Sequence, residues 1–394
     1  MRQSIFNIAT LLLLGAFVGC VPDKVWVADT DTTRIGEVDS LVLKSAGPQL
    51  IADPSNFLDL QPLLYKRNKE GKMEMLSPDY ANKAKISITD ERGNEVGLRY
   101  VPQTGESGVR RFQAKVVDGN GKALVSNTVE VEMIPPYTPP SLKEIPFIIH
   151  LVQSQEEVQK AGLEFGAEKF MKHMRKLNDL LAGRLERSAV GTDSRIQFVP
   201  AKTTPSGLSL KEEGIDRLIV SDNIELTADK ILELLKSESQ IVWDTTRYFN
   251  IYMLSSITAK QRKIHDQYLA LEKNPEFAGH GIVYVAQDLD RKETGFGWFD
   301  YQVDELVTYV GRYLGLLYTT EADDKCEDTV NYTWEDKWFQ GNMGEYKETQ
   351  DHFFLSRNLM DDRKGMHTHI TPDQARRMHD YLETKPYLGM WKNR

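Results

Sequence analysis

A short run of prolines divides this chain into two stretches with different periodicity. Residues 135–140 read Pro-Pro-Tyr-Thr-Pro-Pro, and proline at this density stiffens the backbone and interrupts helices and central strands. Before the run, the sequence alternates between apolar and polar residues. After it, strand and helix patterns are mixed. We therefore predict a β domain over residues 41–134, a linker over 135–144 and an α+β domain with a mixed sheet over 145–394.

The first stretch has the pattern of a small antiparallel sheet protein. Three alternating segments, 85–89, 111–117 and 128–133, are separated by turn sequences rich in Asp, Asn and Gly. Short strands of this kind pack face to face, because each buries only every second side chain. The pattern predicts a β-sandwich, with an immunoglobulin-like arrangement as the expectation.

The second stretch combines buried strands with amphipathic helices. Its apolar runs predict strands at 145–152, 195–199, 249–254 and 281–286. Periods of three and four residues predict helices over 156–187, 227–236 and 303–316. A final helix is expected to start after Thr371, because threonine caps a helix well and Pro372 suits its first position.

The N-terminus has the features of a bacterial export signal. A basic residue, Arg2, is followed by an apolar run over 8–18 and then by Gly19 and Cys20. The run is too short to span a bilayer as a helix, and a small residue before cysteine resembles a lipobox. We expect a signal peptide over residues 1–19, acylation of Cys20 and a tether over 20–40. A plain signal peptide with an incidental cysteine is the alternative.

These features predict an exported lipoprotein, held on the outer membrane by the lipid on Cys20. The chain has 49 Lys and Arg against 58 Asp and Glu, a net charge of −9. This charge argues against a nucleic-acid partner, because phosphate binding needs a basic surface. After cleavage and acylation, Cys326 is the one remaining free thiol, so we expect no disulfide framework.

Residues 306–318, Leu-Val-Thr-Tyr-Val-Gly-Arg-Tyr-Leu-Gly-Leu-Leu-Tyr, resemble the zinc helix of metzincin metallopeptidases, H-E-x-x-H-x-x-G-x-x-H. The frame is most similar to the pappalysin-like lipoproteins that carry an N-terminal immunoglobulin-like domain. Three further segments, 243–252, 328–332 and 358–361, resemble that family in the same order along the chain. The resemblance therefore implies a metzincin-like domain over 145–394, with a Met-turn at Met360.

The resemblance also implies which positions would hold zinc, and this chain has other residues there. The first, second and third histidine positions are Thr308, Arg312 and Tyr318, and the position of the general base is Tyr309. Hydroxyl groups are poor zinc ligands beside imidazole, and a fixed guanidinium repels a divalent ion. The family implies a zinc cofactor, but we expect no cofactor and no catalytic residue here.

A buried arginine needs a compensating partner. Two acids follow the Met-turn methionine, Asp361 and Asp362. We therefore predict that Arg312 bridges the helix to one of these carboxylates, in place of the zinc that would otherwise join them.

Three functions remain open on the sequence. The first is a pseudoprotease whose cleft, with residues 281–286 as an edge strand, binds an extracytoplasmic protein or peptide without hydrolysing it. The second is an active metallopeptidase with a rebuilt metal site, for instance one that uses His367, His369 and an acid. The third is a structural module of the cell surface.

Overall fold

The computed structural model describes residues 37–77, 84–138, 141–155, 159, 167–185, 188–220, 243–244, 247–254, 282–285, 301–319, 323–330, 346–348, 351–355, 357–361 and 367–384. Within these residues the protein is a sheet-dominated α+β structure with a few helices. The predicted signal peptide, the predicted lipidation site Cys20, the predicted helix 227–236 and Asp362 lie outside the described residues. No described helix is both long and apolar enough to cross a bilayer.

The N-terminal half contains nine described strands. They are β1 (Ser40–Ser45), β2 (Gln49–Ile51), β3 (Leu58–Arg67), β4 (Met73–Met75), β5 (Ser87–Asp90), β6 (Glu95–Val96), β7 (Arg99–Tyr100), β8 (Gly108–Val117) and β9 (Ala123–Ile134).

These strands form two sheets that share one core. One sheet has the order β1-β3-β4, with β7 paired to β3, and the other has the order β2-β9-β8-β5-β6. Alternate residues of β8, such as Phe112, Ala114 and Val116, are buried, while the residues between them are more exposed. This alternation is what a sheet with one buried face requires. The immunoglobulin-like arrangement of these strands stays a prediction.

The second half contains seven described strands and three described helices. The strands are β10 (Lys143–Ser154), β11 (Ile196–Pro200), β12 (Ile215–Val220), β13 (Phe249–Leu254), β14 (Ile282–Val285), β15 (Tyr346–Glu348) and β16 (Phe353–Leu355). The helices are α1 (Ala167–Leu181), α2 (Tyr301–Tyr313) and α3 (Pro372–Thr384).

A parallel sheet built around β10 is the core of this half. β10 pairs with β11 and β12 along one side and with β13 along the other, and β14 pairs with β13. All of these pairings are parallel, and apolar residues such as Ile145, Phe147, Ile149 and Ile251 are buried in the sheet. Side chains of α1, α2 and α3 share one hydrophobic cluster with β10, β11 and β13.

Two helices end earlier than the sequence predicts, and a glycine explains each end. The helix predicted to reach residue 187 ends at Leu181, because Gly183 has a φ of +64°. The helix predicted over 303–316 is α2, which ends at Tyr313 before Gly315 with a φ of +89°. A glycine in the left-handed region terminates a helix without the strain that a side chain would add.

A buried asparagine closes the loop that leads into β13. The amide of Asn250 donates to the Trp243 carbonyl at 3.0 Å, and its oxygen accepts from the Trp243 N–H at 3.2 Å. The same oxygen lies 2.9 Å from Nε2 of His150, whose Nδ1 lies 2.9 Å from the Asp216 carboxylate. Trp243 and Asn250 are therefore tied to β10 and β12 by a cluster of buried polar groups that are hydrogen-bonded to one another.

The two halves are joined by hydrogen bonds at several places. The Ser45 N–H donates to the Asp351 carbonyl at 3.0 Å, and the Asn127 side chain donates to the Asp351 carboxylate at 2.8 Å. The Asn56 side chain donates to the carbonyls of Ser188 and Gly191 at 2.7 and 3.0 Å. Because these contacts involve buried or half-buried groups, they fix how the surfaces of the two halves face each other.

Candidate functional site

Helix α2 carries Thr308, Tyr309 and Arg312, three of the positions that the sequence resemblance predicts for zinc ligands and the general base. Val307, Val310 and Leu314 are fully buried at spacings of three and four, so one face of the helix is fixed in the core. Thr308 is 1% exposed and Tyr309 is also buried. The segment that resembles the zinc motif therefore lies on a helix that is packed into the core.

Arg312 contacts the chain just beyond the end of α2. Its Nη1 donates to the Leu316 carbonyl at 3.4 Å, and its Cζ lies 5.2 Å from the ring centroid of Tyr318. A cation suits this position, because the last carbonyls of a helix carry partial negative charge and an aromatic face attracts a guanidinium. The second and third predicted ligand positions thus lie against each other.

The chain reverses after α2 through a glycine turn. The Leu316 N–H donates to the Gly311 carbonyl and the Gly315 N–H donates to the Arg312 carbonyl, both at 2.9 Å. This is the Schellman pattern of helix ends, and it needs the positive φ that Gly315 has. From α3, Nε of Arg377 donates to the Gly315 carbonyl at 2.7 Å. The turn is therefore fixed from both sides.

The loop at Met360 packs directly on α2. A Cβ on Gly311 would meet Met360 Sδ and would lie 2.6 Å from Leu359 Cδ2, so only glycine allows this approach. The Thr319 N–H donates to the Met360 carbonyl at 3.1 Å. The helix, the glycine turn and the methionine loop thus meet at one place.

Asn358 and Gln374 organise the methionine loop. Each side-chain amide donates to the oxygen of the other at 2.8 Å, and Asn358 Oδ1 also accepts from the Met360 N–H at 2.9 Å. Gln374 Oε1 accepts in addition from the Thr371 N–H at 3.1 Å. Both amides are buried, so this pair ties the loop to the first turn of α3.

Replacing Asn358 with alanine is expected to lower the free energy of unfolding by about 2 kcal/mol, because it leaves the buried Gln374 amide without its partner. Urea unfolding measures the loss. The matched control is Gln374→Ala, alone and combined with Asn358→Ala. The double variant should lose less than the sum of the single losses, and strict additivity would contradict the paired arrangement.

The two candidates for a rebuilt metal site have other contacts. His367 is buried, and its Nδ1 donates to the Asn358 carbonyl at 2.6 Å. His369 Nδ1 lies 3.2 Å from the Thr368 hydroxyl. Within the described residues, no group of three or more His, Cys, Asp or Glu side chains is arranged to hold a metal ion.

The residues on α2 do not fit the zinc that the family resemblance implies. Thr308 and Tyr309 present hydroxyl groups, and Arg312 presents a permanent cation that lies against Tyr318. A zinc site requires neutral imidazoles or anionic ligands that can approach the ion closely. No hydrolytic step through a metal follows from this set of side chains.

The predicted bridge between Arg312 and the acids after Met360 remains a prediction. The Asp361 carboxylate is buried and accepts from the Thr319 hydroxyl at 2.6 Å and from the Asn358 N–H at 2.7 Å. Asp362, the other predicted partner, lies outside the described residues. The contacts of Asp361 show that it stabilises the methionine loop itself.

Sequence reasoning did not single out Asp328, although it lies in a segment that resembles the family. This side chain is 5% exposed, and burial raises the pKa of its carboxyl to about 6. Its Oδ2 accepts from the Asp373 N–H in the first turn of α3 at 2.8 Å. Its Oδ1 is buried and, within the part of the chain that the structure describes, accepts no hydrogen bond.

Comparison with known proteins gave matches among solved structures alone. No protein-family model and no curated protein matches this chain. Tannerella forsythia mature mirolysin in complex with a cleaved peptide is 18% identical, with a TM-score of 0.44, over 64% of this chain and 97% of that chain. The Tannerella forsythia promirolysin mutant E225A has the same identity, TM-score and coverage of this chain, and 85% of its own length is covered. A resemblance of this size does not by itself assign a family or an activity.

Proposed function

We propose that this chain is a non-catalytic, lipid-anchored peptide-binding protein, a pseudoprotease with a metzincin-like scaffold. The observation that carries the proposal is the packing of Gly311 against Leu359 and Met360 beside ligand positions occupied by Thr308 and Arg312. The residues needed for packing are present, and those needed for zinc chemistry are replaced. Acylation of Cys20 would hold the protein on the outer membrane.

Strand β14 supports the peptide-binding part of the proposal. It pairs with β13 and, within the described residues, with no other strand. An unpaired strand edge offers alternating N–H and C=O groups to an extended peptide, which can add as a further strand. The ligand would then be an extended segment of an extracytoplasmic protein, bound through its backbone.

The test for zinc uses a variant with all four positions restored, Thr308→His, Tyr309→Glu, Arg312→His and Tyr318→His. We expect the unmodified protein to contain no zinc and the fourfold variant to bind about one ion per chain. The matched control keeps Arg312 and restores the other three, and it should bind no zinc because the guanidinium remains. Stoichiometric zinc in the unmodified protein, lost together with peptidase activity on chelation, would establish a metallopeptidase instead.

The test for binding uses the unmodified protein and an unselected pool of dansyl-labelled decapeptides. We expect a rise in fluorescence anisotropy and no cleavage products by mass spectrometry. Proline at Val283 and proline at Tyr284 provide the controls, because neighbouring residues of a parallel strand point their N–H groups to opposite sides. One variant should lose binding with little loss of stability. Binding that survives in both would contradict the role of β14.

A further inference from the structure

A cavity of about 310 Å³ lies between the N-terminal half and the methionine loop, separate from the helix positions that would bind zinc. Its walls come from residues 46–49, 57, 59 and 99 on one side and from 188–190, 319, 328–330, 353, 357, 358, 361, 368, 369 and 371 on the other. Thr308, Arg312 and Tyr318 do not line it. A volume of this size lies at the lower end of the range for small-molecule sites.

The walls of this interdomain cavity are held in place by contacts between the halves. The Ile51 N–H donates to the Ala189 carbonyl at 2.8 Å, and the Asn56 amide donates to the carbonyls of Ser188 and Gly191. These bonds surround the lining residues Ser188 and Ala189. The cavity is therefore preformed, and a ligand would not have to order it on binding.

One acid in the interdomain cavity lacks a partner that a ligand could supply. Asp328 is 95% buried, its Oδ2 accepts from the Asp373 N–H, and the Thr371 hydroxyl lowers the pKa of the same carboxyl. Its Oδ1 has no hydrogen-bond partner within the described residues. The other two lining carboxylates are occupied: Asp59 pairs with Arg99 at 2.8 Å, and Asp361 accepts from the Thr319 hydroxyl and the Asn358 N–H. A buried carboxylate oxygen with no donor is costly.

The charge and the apolar lining define the chemistry of the ligand. Three carboxylates and two guanidiniums line the cavity, which leaves one net negative charge. Apolar side chains of Val190, Val330 and Phe353 line it as well. A positively charged hydrogen-bond donor would pair with Oδ1 of Asp328 and neutralise the net negative charge of the lining. An apolar group on the same ligand would pack against the apolar side chains.

We propose that the interdomain cavity is a binding site for a primary ammonium group on a small apolar body, with Asp328 as the acceptor of the ammonium. The ammonium can come from a free amine or from a lysine side chain of a polypeptide. This site does not depend on the proposed pseudoprotease cleft, because the two share none of the replaced zinc positions.

The experiment measures binding of phenethylammonium to the full chain by calorimetry, with 2-phenylethanol as the neutral counterpart. We expect the amine to bind the unmodified protein and the alcohol to bind at least about tenfold more weakly. Asp328→Asn, which keeps the shape and removes the charge, should weaken the amine by about tenfold or more. The matched control Asp179→Asn, an acid paired with Arg184 outside the cavity, should leave the affinity close to that of the unmodified protein.

A second pair of probes separates the two sources of the ammonium. The peptide acetyl-Gly-Lys-Gly-amide should bind if a polypeptide lysine is the natural ligand, and its Nε-acetylated form should not. Failure of both the free amine and the lysine peptide to bind the unmodified protein would overturn the proposal. Equal binding of amine and alcohol would also overturn it.

A variant that leaves Asp328 unchanged guards against a folding defect in Asp328→Asn. Val190→Trp enlarges a different lining side chain to an indole and should abolish binding of the amine by filling the cavity. Binding that persists in a folded Val190→Trp protein would place the amine elsewhere on the surface and contradict the assignment of this cavity.

Discussion

Asp328→Asn is expected to raise the free energy of unfolding by about 2–3 kcal/mol near neutral pH, and the gain should vanish below about pH 4. Burial raises the pKa of this carboxyl from 3.8 to about 6, because the charged form loses its hydration. Asparagine keeps an oxygen for the Asp373 N–H but has no charge to bury. The effect is large because the carboxylate is almost fully enclosed.

The sign of this pH dependence follows from the proton count of the two states. Between the unfolded pKa of 3.8 and the folded pKa of about 6, the folded protein holds more protons on Asp328 than the unfolded chain does. The stabilising contribution of this group is therefore complete below the unfolded pKa and is lost as pH rises through the folded value. Above that range the ionised side chain opposes folding.

Urea unfolding of both proteins across the acid to neutral range measures this difference. Other groups titrate in both proteins, so subtracting the two curves isolates Asp328. The matched control is Asp59→Asn, whose side chain is half exposed and should show no comparable pH-dependent gain. If Asp328→Asn were less stable than the unmodified protein at every pH, the result would contradict this prediction. It would mean that the Asp328 carboxylate stabilises the first turn of α3 by more than its burial destabilises the fold.

Local sequence signals predicted several elements closely. Strand β13 was predicted over 249–254 and is observed at Phe249–Leu254. Helix α3 begins at Pro372, as predicted, and the Gln374 N–H donates to the Thr371 hydroxyl at 3.3 Å. Both predictions rest on properties carried by a few neighbouring residues, an apolar run in one case and a capping side chain before proline in the other.

Other elements depend on partners that are distant in sequence. Strand β12, Ile215–Val220, was not predicted, and it is defined by its pairing with β10 about sixty residues earlier. The predicted end of α2 is three residues too late. The helical periodicity of the sequence continues past Tyr313, but Gly315 has a positive φ that ends the helix. Periodicity reports which face is buried and does not report where a glycine turns the chain.

The interdomain cavity could not be predicted from the sequence for the same reason. Its walls unite residues near 48, near 189 and near 358, and nothing local to any of these segments shows that they meet. The unpaired Oδ1 of Asp328 likewise depends on how the described residues are arranged in space and not on the local sequence. By contrast, Gly311, Gly315 and Met360 could be singled out, because the family frame fixes their spacing along the chain.

Gly315→Ala is expected to lower the free energy of unfolding by about 3 kcal/mol or more, since two costs act at one position. The residue has a φ of +89°, where an L side chain is strained. A Cβ there would also collide with the ring of Tyr381 on α3, whose Cδ2 would lie at 2.5 Å. Relief of the collision would displace α3 and with it the hydrogen bond from Arg377 to the Gly315 carbonyl.

Gly207→Ala separates the two costs, because Gly207 has nearly the same φ, +86°, and nothing lies within 4 Å of its Cβ position. The control should lose about 1 kcal/mol from backbone strain alone, and urea unfolding of both variants gives the difference. Equal losses at the two positions would show that Tyr381 moves aside at little cost. The close contact between the glycine turn and α3 would then not be what fixes the end of α2, and the framework around Met360 would have to be held by the Asn358 and Gln374 pair instead.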